Sequence, residues 1–310
     1  SPVLRCLKKQ TNATVHYLTK KKYVDIIKKN PHVEKVFSVD QVLNDCNLEE
    51  YDLIVDLQKN FKSFFLSMFL KKKIKTKYLS YDKKNIKKWI LINFRKDLLH
   101  NEHIVTRYFY GLRKYKVIND NQGLDYFISS KINPDSFLIK LPFEKTFFAW
   151  VLGGTYKNKK LSKDHIQKVC AKVSVPIFFL GGEVEKEIGD EICKNSSKSN
   201  LYNLCGLLSL EESAYVLKKS SIVLTNDTGL MHIASALKKK IISFWGCTKP
   251  SLGMFPYKPH SKSIQIITKT SLYPCSKLGD RCRYSYKGCI NNISVEEILI
   301  AIKKISYKKS

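Results

Sequence analysis

Short apolar runs alternate with longer amphipathic stretches along most of this chain, which predicts strands and helices in turn. Ser1-Pro2 reads as a helix start, with serine as the cap and proline at the first helical position. Strands are expected over 13–18, 35–39 and 52–57, the last carrying the run Leu53, Ile54, Val55. Helices are expected over 21–29, 61–72, 86–94 and 103–115. Residues 129–146, with Ser129, Ser130, Asn133-Pro134-Asp135 and Pro142, read as a connection. The alternation then restarts, with strands over 147–152, 177–180, 201–204, 222–224, 241–245 and 264–267. Helices fall between and after them, over 163–173, 183–193, 210–219, 231–237 and 295–305. Such alternation predicts βαβ units and a mainly parallel sheet, hence an α/β chain of two doubly wound halves. Ligands of such sheets sit beyond the carboxyl ends of the strands, where loops lead into helix N-termini.

Composition narrows this picture without settling it. The chain has 310 residues, enough for two domains with separate cores. Its 55 basic and 27 acidic residues give a formal charge of +28, which suits nucleic acid, an anionic membrane surface or an acidic small molecule. The lysines are spread along the chain, as on solvated helix faces, and no recognised nucleic-acid module accompanies them. No apolar run reaches the roughly 18 residues of a membrane span; the longest patch, 61–70, is interrupted by Lys62 and Ser63 and stops at Lys71. The 9 cysteines are odd in number and scattered, which fits a reduced, cytoplasmic compartment. Cys275, Cys282 and Cys289 are evenly spaced but too far apart for the close pairs of most zinc sites, and read as structural thiols.

Candidate chemistry concentrates in the second half. After the strand at 222–224 comes Thr225-Asn226-Asp227-Thr228-Gly229-Leu230-Met231-His232, with a helix beginning beside Thr228. The amides of Thr228, Gly229 and Leu230 would be unpaired donors at that N-terminus, a ready anion site suited to a diphosphate. Asp227 can accept from sugar hydroxyls there, and His232 lies one turn on, along the same face. The same residues also suit plain roles, an Asp or Thr cap and a core histidine.

This stretch, continued through Gly246-Cys247-Thr248-Lys249-Pro250, resembles the signature of glycosyltransferase family nine, which contains the ADP-heptose:lipopolysaccharide heptosyltransferases. That signature is an Asp-Thr-Gly-x-x-His-x-x-x-Ala-Leu run, a strand, and a Gly-x-Thr-x-Pro loop. Asp227, Thr228, Gly229, His232, Ala236, Leu237, Gly246, Thr248 and Pro250 meet every position.

The resemblance implies a fold of the GT-B type, two Rossmann-like domains facing a cleft, with residues 1–143 on the acceptor side and 144–310 binding the nucleotide sugar. It places Thr155 and Lys159, in the Gly153-Gly154 turn, on the donor's phosphates, although the usual Trp and Pro nearby are Leu161 and Ser162 here. It puts Glu183, or alternatively Glu185, near the nucleoside, with Leu208 packing by the base. Thr106 and Arg107 resemble a helix near the acceptor. The implied reaction is inverting transfer of heptose from ADP-heptose to the lipopolysaccharide core, with no metal or cofactor. The implied setting is peripheral, on the cytoplasmic face of an anionic inner membrane, with no nucleic-acid partner. The expected general base, an aspartate after the first strand, would lie upstream of Ser1, so the N-terminal domain is expected to lack that strand. Rival readings are another nucleotide-sugar transferase or an epimerase of the same architecture, and a non-catalytic basic binding protein.

Overall fold

The computed structural model describes residues 1–44, 51–70, 76–130, 132, 146–286 and 288–307. The chain folds as two compact units, one of Ser1–Asn85 with Glu102–Gln122, the other of Ile86–Asn101 with Gly123–Ser310.

The first unit contains α1 (Pro2–Thr11), β1 (His16–Thr19), α2 (Val24–Lys28), β2 (Lys35–Ser38) and α3 (Val39–Asn44). It continues through β3 (Leu53–Asp56), α4 (Phe61–Leu70), β4 (Lys77–Ser80) and, after α5 (Asn85–Phe94), α6 (Ile104–Leu112). All of α5 beyond Asn85 belongs to the second unit. The strands form two parallel pairs, β1 with β2 and β3 with β4. Asp56 ends β3 and organises the turn that follows. It accepts from the amides of Gln58 and Lys59, the Ser63 hydroxyl and the Tyr78 phenol. Burial works against its charge, but these four bonds outweigh it and hold the carboxyl below its ordinary pKa. Arg5 of α1 is buried and holds Asp120 through two hydrogen bonds, of 2.7 and 2.8 Å.

The second unit runs β5 (Phe148–Val151), α7 (Lys163–Lys172), β6 (Ile177–Leu180), α8 (Lys186–Lys194), β7 (Leu201–Asn203) and α9 (Leu210–Lys219). It then adds β8 (Ile222–Thr225), α10 (Gly229–Ala236), β9 (Lys240–Trp245), β10 (Ile264–Ile267) and α11 (Val295–Ser306). The strands make one parallel six-stranded sheet in the order β10-β9-β8-β5-β6-β7. Side chains alternate between its faces. Phe148, Trp150, Phe179, Leu224 and Phe244 pack one way, against α7 and α11. Phe147, Ala149, Val151, Phe178 and Val223 pack the other way, against α9 and α10. Burial on both faces explains why these strands read as continuous apolar runs.

Several expected elements change at their edges. The helix expected at 21–29 is a 3-10 turn, Lys21–Tyr23, followed by the short α2. The one expected at 183–193 likewise opens with a 3-10 turn, Glu183–Glu185. Two elements, α3 and β4, were not foreseen: β4 is half exposed and begins with a lysine, so it presents no apolar face to read. The expected connection at 129–146 falls largely on residues 131 and 133–145, which lie outside the described residues.

Candidate functional site

Counted from β5, the sheet order is third, second, first, fourth, fifth, sixth. The winding direction therefore reverses between β5 and β8, the position where doubly wound sheets open a crevice beyond their carboxyl ends. The two loops that leave these strands are stitched together. Asn226 is buried, and its Nδ2 donates to the carbonyls of Leu152 at 3.3 Å and Gly153 at 3.1 Å.

Three loops then converge on one carboxylate. Lys159, from a 3-10 turn after β5, places Nζ 2.6 Å from Asp227 Oδ2, with only 12% and 13% of the two side chains exposed. Thr248, from the loop after β9, donates its hydroxyl to the same oxygen at 3.2 Å. Thr228 caps α10, its Oγ1 accepting from the Met231 amide at 3.2 Å. The first amides of α10 have no partner within the helix, so its positive end opens beside the Lys159–Asp227 pair. A Cβ added to Gly229 would meet nothing within 4 Å, so the chain itself leaves this ground open. His232 lies one turn further on. Burial lowers its pKa, Asp227 opposes this and Lys159 assists it, so the imidazole is neutral at pH 7.

The remaining expected residues fall as follows. Thr155 is exposed on the loop after β5. Glu185 is buried and already engaged, accepting from the Gly182 amide at 2.9 Å and pairing with Lys160 at 2.6 Å. Glu183 stands out from the same turn, with 73% of its side chain exposed and a 3.6 Å contact to Lys186. Leu208, after β7, is partly buried against the cluster that includes Val216 and Leu217. Thr155, Lys159, Asp227, Thr228, Gly229 and His232 thus lie on the two loops at the reversal, or on the helix the second leads into, while Glu183 and Leu208 follow the next two strands. Thr106 and Arg107 belong to α6 in the other unit. Thr106 is partly exposed, while Arg107 has no exposed surface and donates from Nη1 to the Lys83 carbonyl at 3.3 Å. Sequence reading missed Asn226 as the stitch between loops, and Lys160 as the partner of Glu185. The signal for Asn226 was present: a polar residue wedged between an apolar strand and a helix cap.

The arrangement offers a cation, a helix N-terminus and a carboxylate side by side, which suits an anionic group joined to a hydroxylated one. The family model described as Glycosyltransferase family 9 (heptosyltransferase) matches residues 10–285. The lipopolysaccharide heptosyltransferase 1 of Campylobacter coli is 23% identical over an alignment covering 98% of this chain and 93% of that protein. Among solved structures, a glycosyl transferase family 9 protein of Veillonella parvula superposes with a TM-score of 0.79 at 18% identity, covering 98% of this chain and 92% of its own. The Escherichia coli ADP-heptose lipopolysaccharide heptosyltransferase II gives a TM-score of 0.71 at 16% identity, covering 98% and 93%. These two structures speak for the fold, an α/β arrangement of parallel sheets of the GT-B type.

Proposed function

The chain belongs to glycosyltransferase family 9, the heptosyltransferases, and on that premise we propose that it moves heptose from ADP-heptose to a sugar hydroxyl of the lipopolysaccharide inner core. The observation that carries this reading is the meeting of Lys159, Asp227 and Thr248 beside the N-terminus of α10, where the sheet reverses. ADP-heptose, for which the Escherichia coli relative is named, has the two features that this site matches, a diphosphate and a polyhydroxylated sugar.

In this account the diphosphate lies across the first turn of α10. Its leaving charge is stabilised by the Gly229 and Leu230 amides, Lys159 and the Thr155 hydroxyl, an electrostatic role. Lys159 turns from Asp227 toward the phosphates as they enter, and Asp227 then orients the heptose hydroxyls with Thr248 steadying it. Neutral His232 adds a hydrogen-bonding ring without a competing charge. Glu183, exposed after β6, and Leu208 take the nucleoside. Thr106 stays on the acceptor side, with Arg107 holding the backbone beneath it. Displacement at the anomeric carbon is in line and inverts the sugar. No residue of this site is assigned as base for the acceptor hydroxyl.

The test is product analysis with ADP-heptose, with and without a heptose-free core acceptor. Transfer predicts ADP release and a heptosylated acceptor only when acceptor is supplied. Conversion of the donor sugar without acceptor would instead support an epimerase.

The acceptor is a glycolipid, and we place the enzyme on the cytoplasmic face of an anionic membrane. No described helix is long and apolar enough to cross a membrane. Support comes from α4, whose one buried residue is Ser67, while Phe61, Phe64, Phe65, Met68 and Phe69 are exposed beside Lys62. An apolar face of this kind, with basic residues at hand, suits the interfacial region of a bilayer. Each phenylalanine taken out of water contributes about 1.5–3 kcal/mol. The double variant Phe65→Ser/Phe69→Ser is therefore expected to lower the affinity for anionic vesicles at least about tenfold, read by co-sedimentation. Equal binding by variant and parent would remove α4 from the membrane contact.

A further inference from the structure

Outside the donor site, the fold gathers four thiols at one point. Cys247 follows β9, while Cys275, Cys282 and Cys289 come from the segment between β10 and α11. The four Sγ atoms all lie within 4.8 Å of one another. Cys247, Cys275 and Cys289 are buried and Cys282 is partly exposed. The Sγ atoms of Cys247 and Cys289 are 3.7 Å apart, and those of Cys275 and Cys282 are 3.9 Å apart. A tetrahedral ion with metal–sulfur bonds of about 2.3 Å sets its sulfurs about 3.8 Å apart. The two distances match the edges of that tetrahedron.

A second feature points the same way. Lys249 is 1% exposed, and its Nζ has no hydrogen-bond partner among the described residues. The four cysteines are its electrostatic neighbours. An isolated buried ammonium is costly. Four thiolates around a divalent ion carry a net charge of about −2, which one ammonium would halve.

We propose that Cys247, Cys275, Cys282 and Cys289 bind a thiolate-seeking divalent metal, zinc or iron, with Lys249 buried against the negative charge of the complex. The tight pairs that mark most zinc sites are missing from the sequence: three ligands are spaced by seven, and the fourth follows a strand of the sheet, 42 residues before Cys289. The cluster also has a place in the architecture. Gly279, at φ +78, lies so close to Lys159 that an added Cβ would fall 2.5 Å from its Cγ. Asn158 donates from Nδ2 to the Asp280 carbonyl at 3.1 Å, and Gly288 abuts the Asn158 backbone. Cys247 precedes Thr248, which holds Asp227. The metal would thus fasten the wall behind Lys159, a consequence that rests on the donor reading; the metal site itself does not.

The test is elemental analysis of the full chain, purified under reducing conditions without chelator, followed by cobalt substitution. About one zinc or iron per chain is expected, and the cobalt form should show the intense charge-transfer bands of thiolate ligation. Cys282→Ser, at the partly exposed corner, should lose most of the metal while the chain stays folded by circular dichroism. A folded, metal-free parent would overturn the proposal. So would peptide mapping that finds Cys247–Cys289 and Cys275–Cys282 disulfides, or a Cys282→Ser variant that keeps its full complement of metal.

Discussion

Lys159→Ala is expected to weaken ADP binding by about 10- to 100-fold, the equivalent of about 1.5–3 kcal/mol for one hydrogen bond to a charged group. The lower end applies if much of the gain is spent separating Lys159 from Asp227, since the pair stands at 2.6 Å with both side chains largely buried. Asp227→Ala should behave differently. It frees the ammonium and removes a carboxylate from beside the diphosphate, so ADP should bind as tightly as to the parent or more so. The same variant should lose affinity for the intact nucleotide sugar, whose hydroxyls Asp227 orients. Titration calorimetry of both variants against ADP and ADP-heptose separates the roles. Equal losses for both ligands in both variants would mean that the two residues act as one structural unit.

The second large effect belongs to the first unit. Arg5 has 4% of its side chain exposed and Asp120 17%, and their bidentate contact joins α1 to the segment after α6. Removing one member of a buried ion pair takes this partner from the other, at about 3–5 kcal/mol. Asp120→Ala is therefore expected to destabilise this unit by about 3 kcal/mol or more, read as a lower urea midpoint with little change in nucleotide affinity. Hydrogen bonds from Arg5 hold the Asp120 carboxyl at about 2, against the partial opposition of burial. An unfolded aspartate titrates near ~3.9, so the pair's contribution is complete above that pH and is lost as the pH falls toward 2. The difference in stability between parent and Asp120→Ala should therefore shrink over that window. A gap that is the same at pH 2.5 as at pH 7 would show that the charge of Asp120 is not what matters.

The second unit was easier to read from sequence than the first, and burial is the reason. Phe148–Val151 and Ile177–Leu180 are covered on both faces, so each is an unbroken apolar run that ends at glycine. Lys77–Ser80 lies half exposed and carries no such mark. The start of α10 was legible because its cap, Thr228, and the glycine after it form a local signal. The pairing of Lys159 with Asp227 was not legible as a contact, because it depends on strand order. Only when β8 lies beside β5 do the two loops meet, as Asn226 shows by reaching Leu152 across a separation of 74. The thiol cluster was hidden for the same reason: β9 brings Cys247 to three thiols from a later loop. Sequence put Glu183 first with Glu185 as the alternative, without a contact to separate them. The fold separates them, turning Glu185 inward to Gly182 and Lys160 and leaving Glu183 exposed.

Whether the loops after β5 and β8 form a nucleotide-sugar site is tested most directly by nucleotide-dependent thermal stabilisation. The parent and Lys159→Ala would be melted with ADP, UDP, GDP and CMP in turn. The expected result is a rise in melting temperature with ADP alone, at least half of it lost in Lys159→Ala. A rise with UDP or GDP in place of ADP would contradict the adenine donor, and no rise with any nucleotide from a folded parent would contradict the site itself.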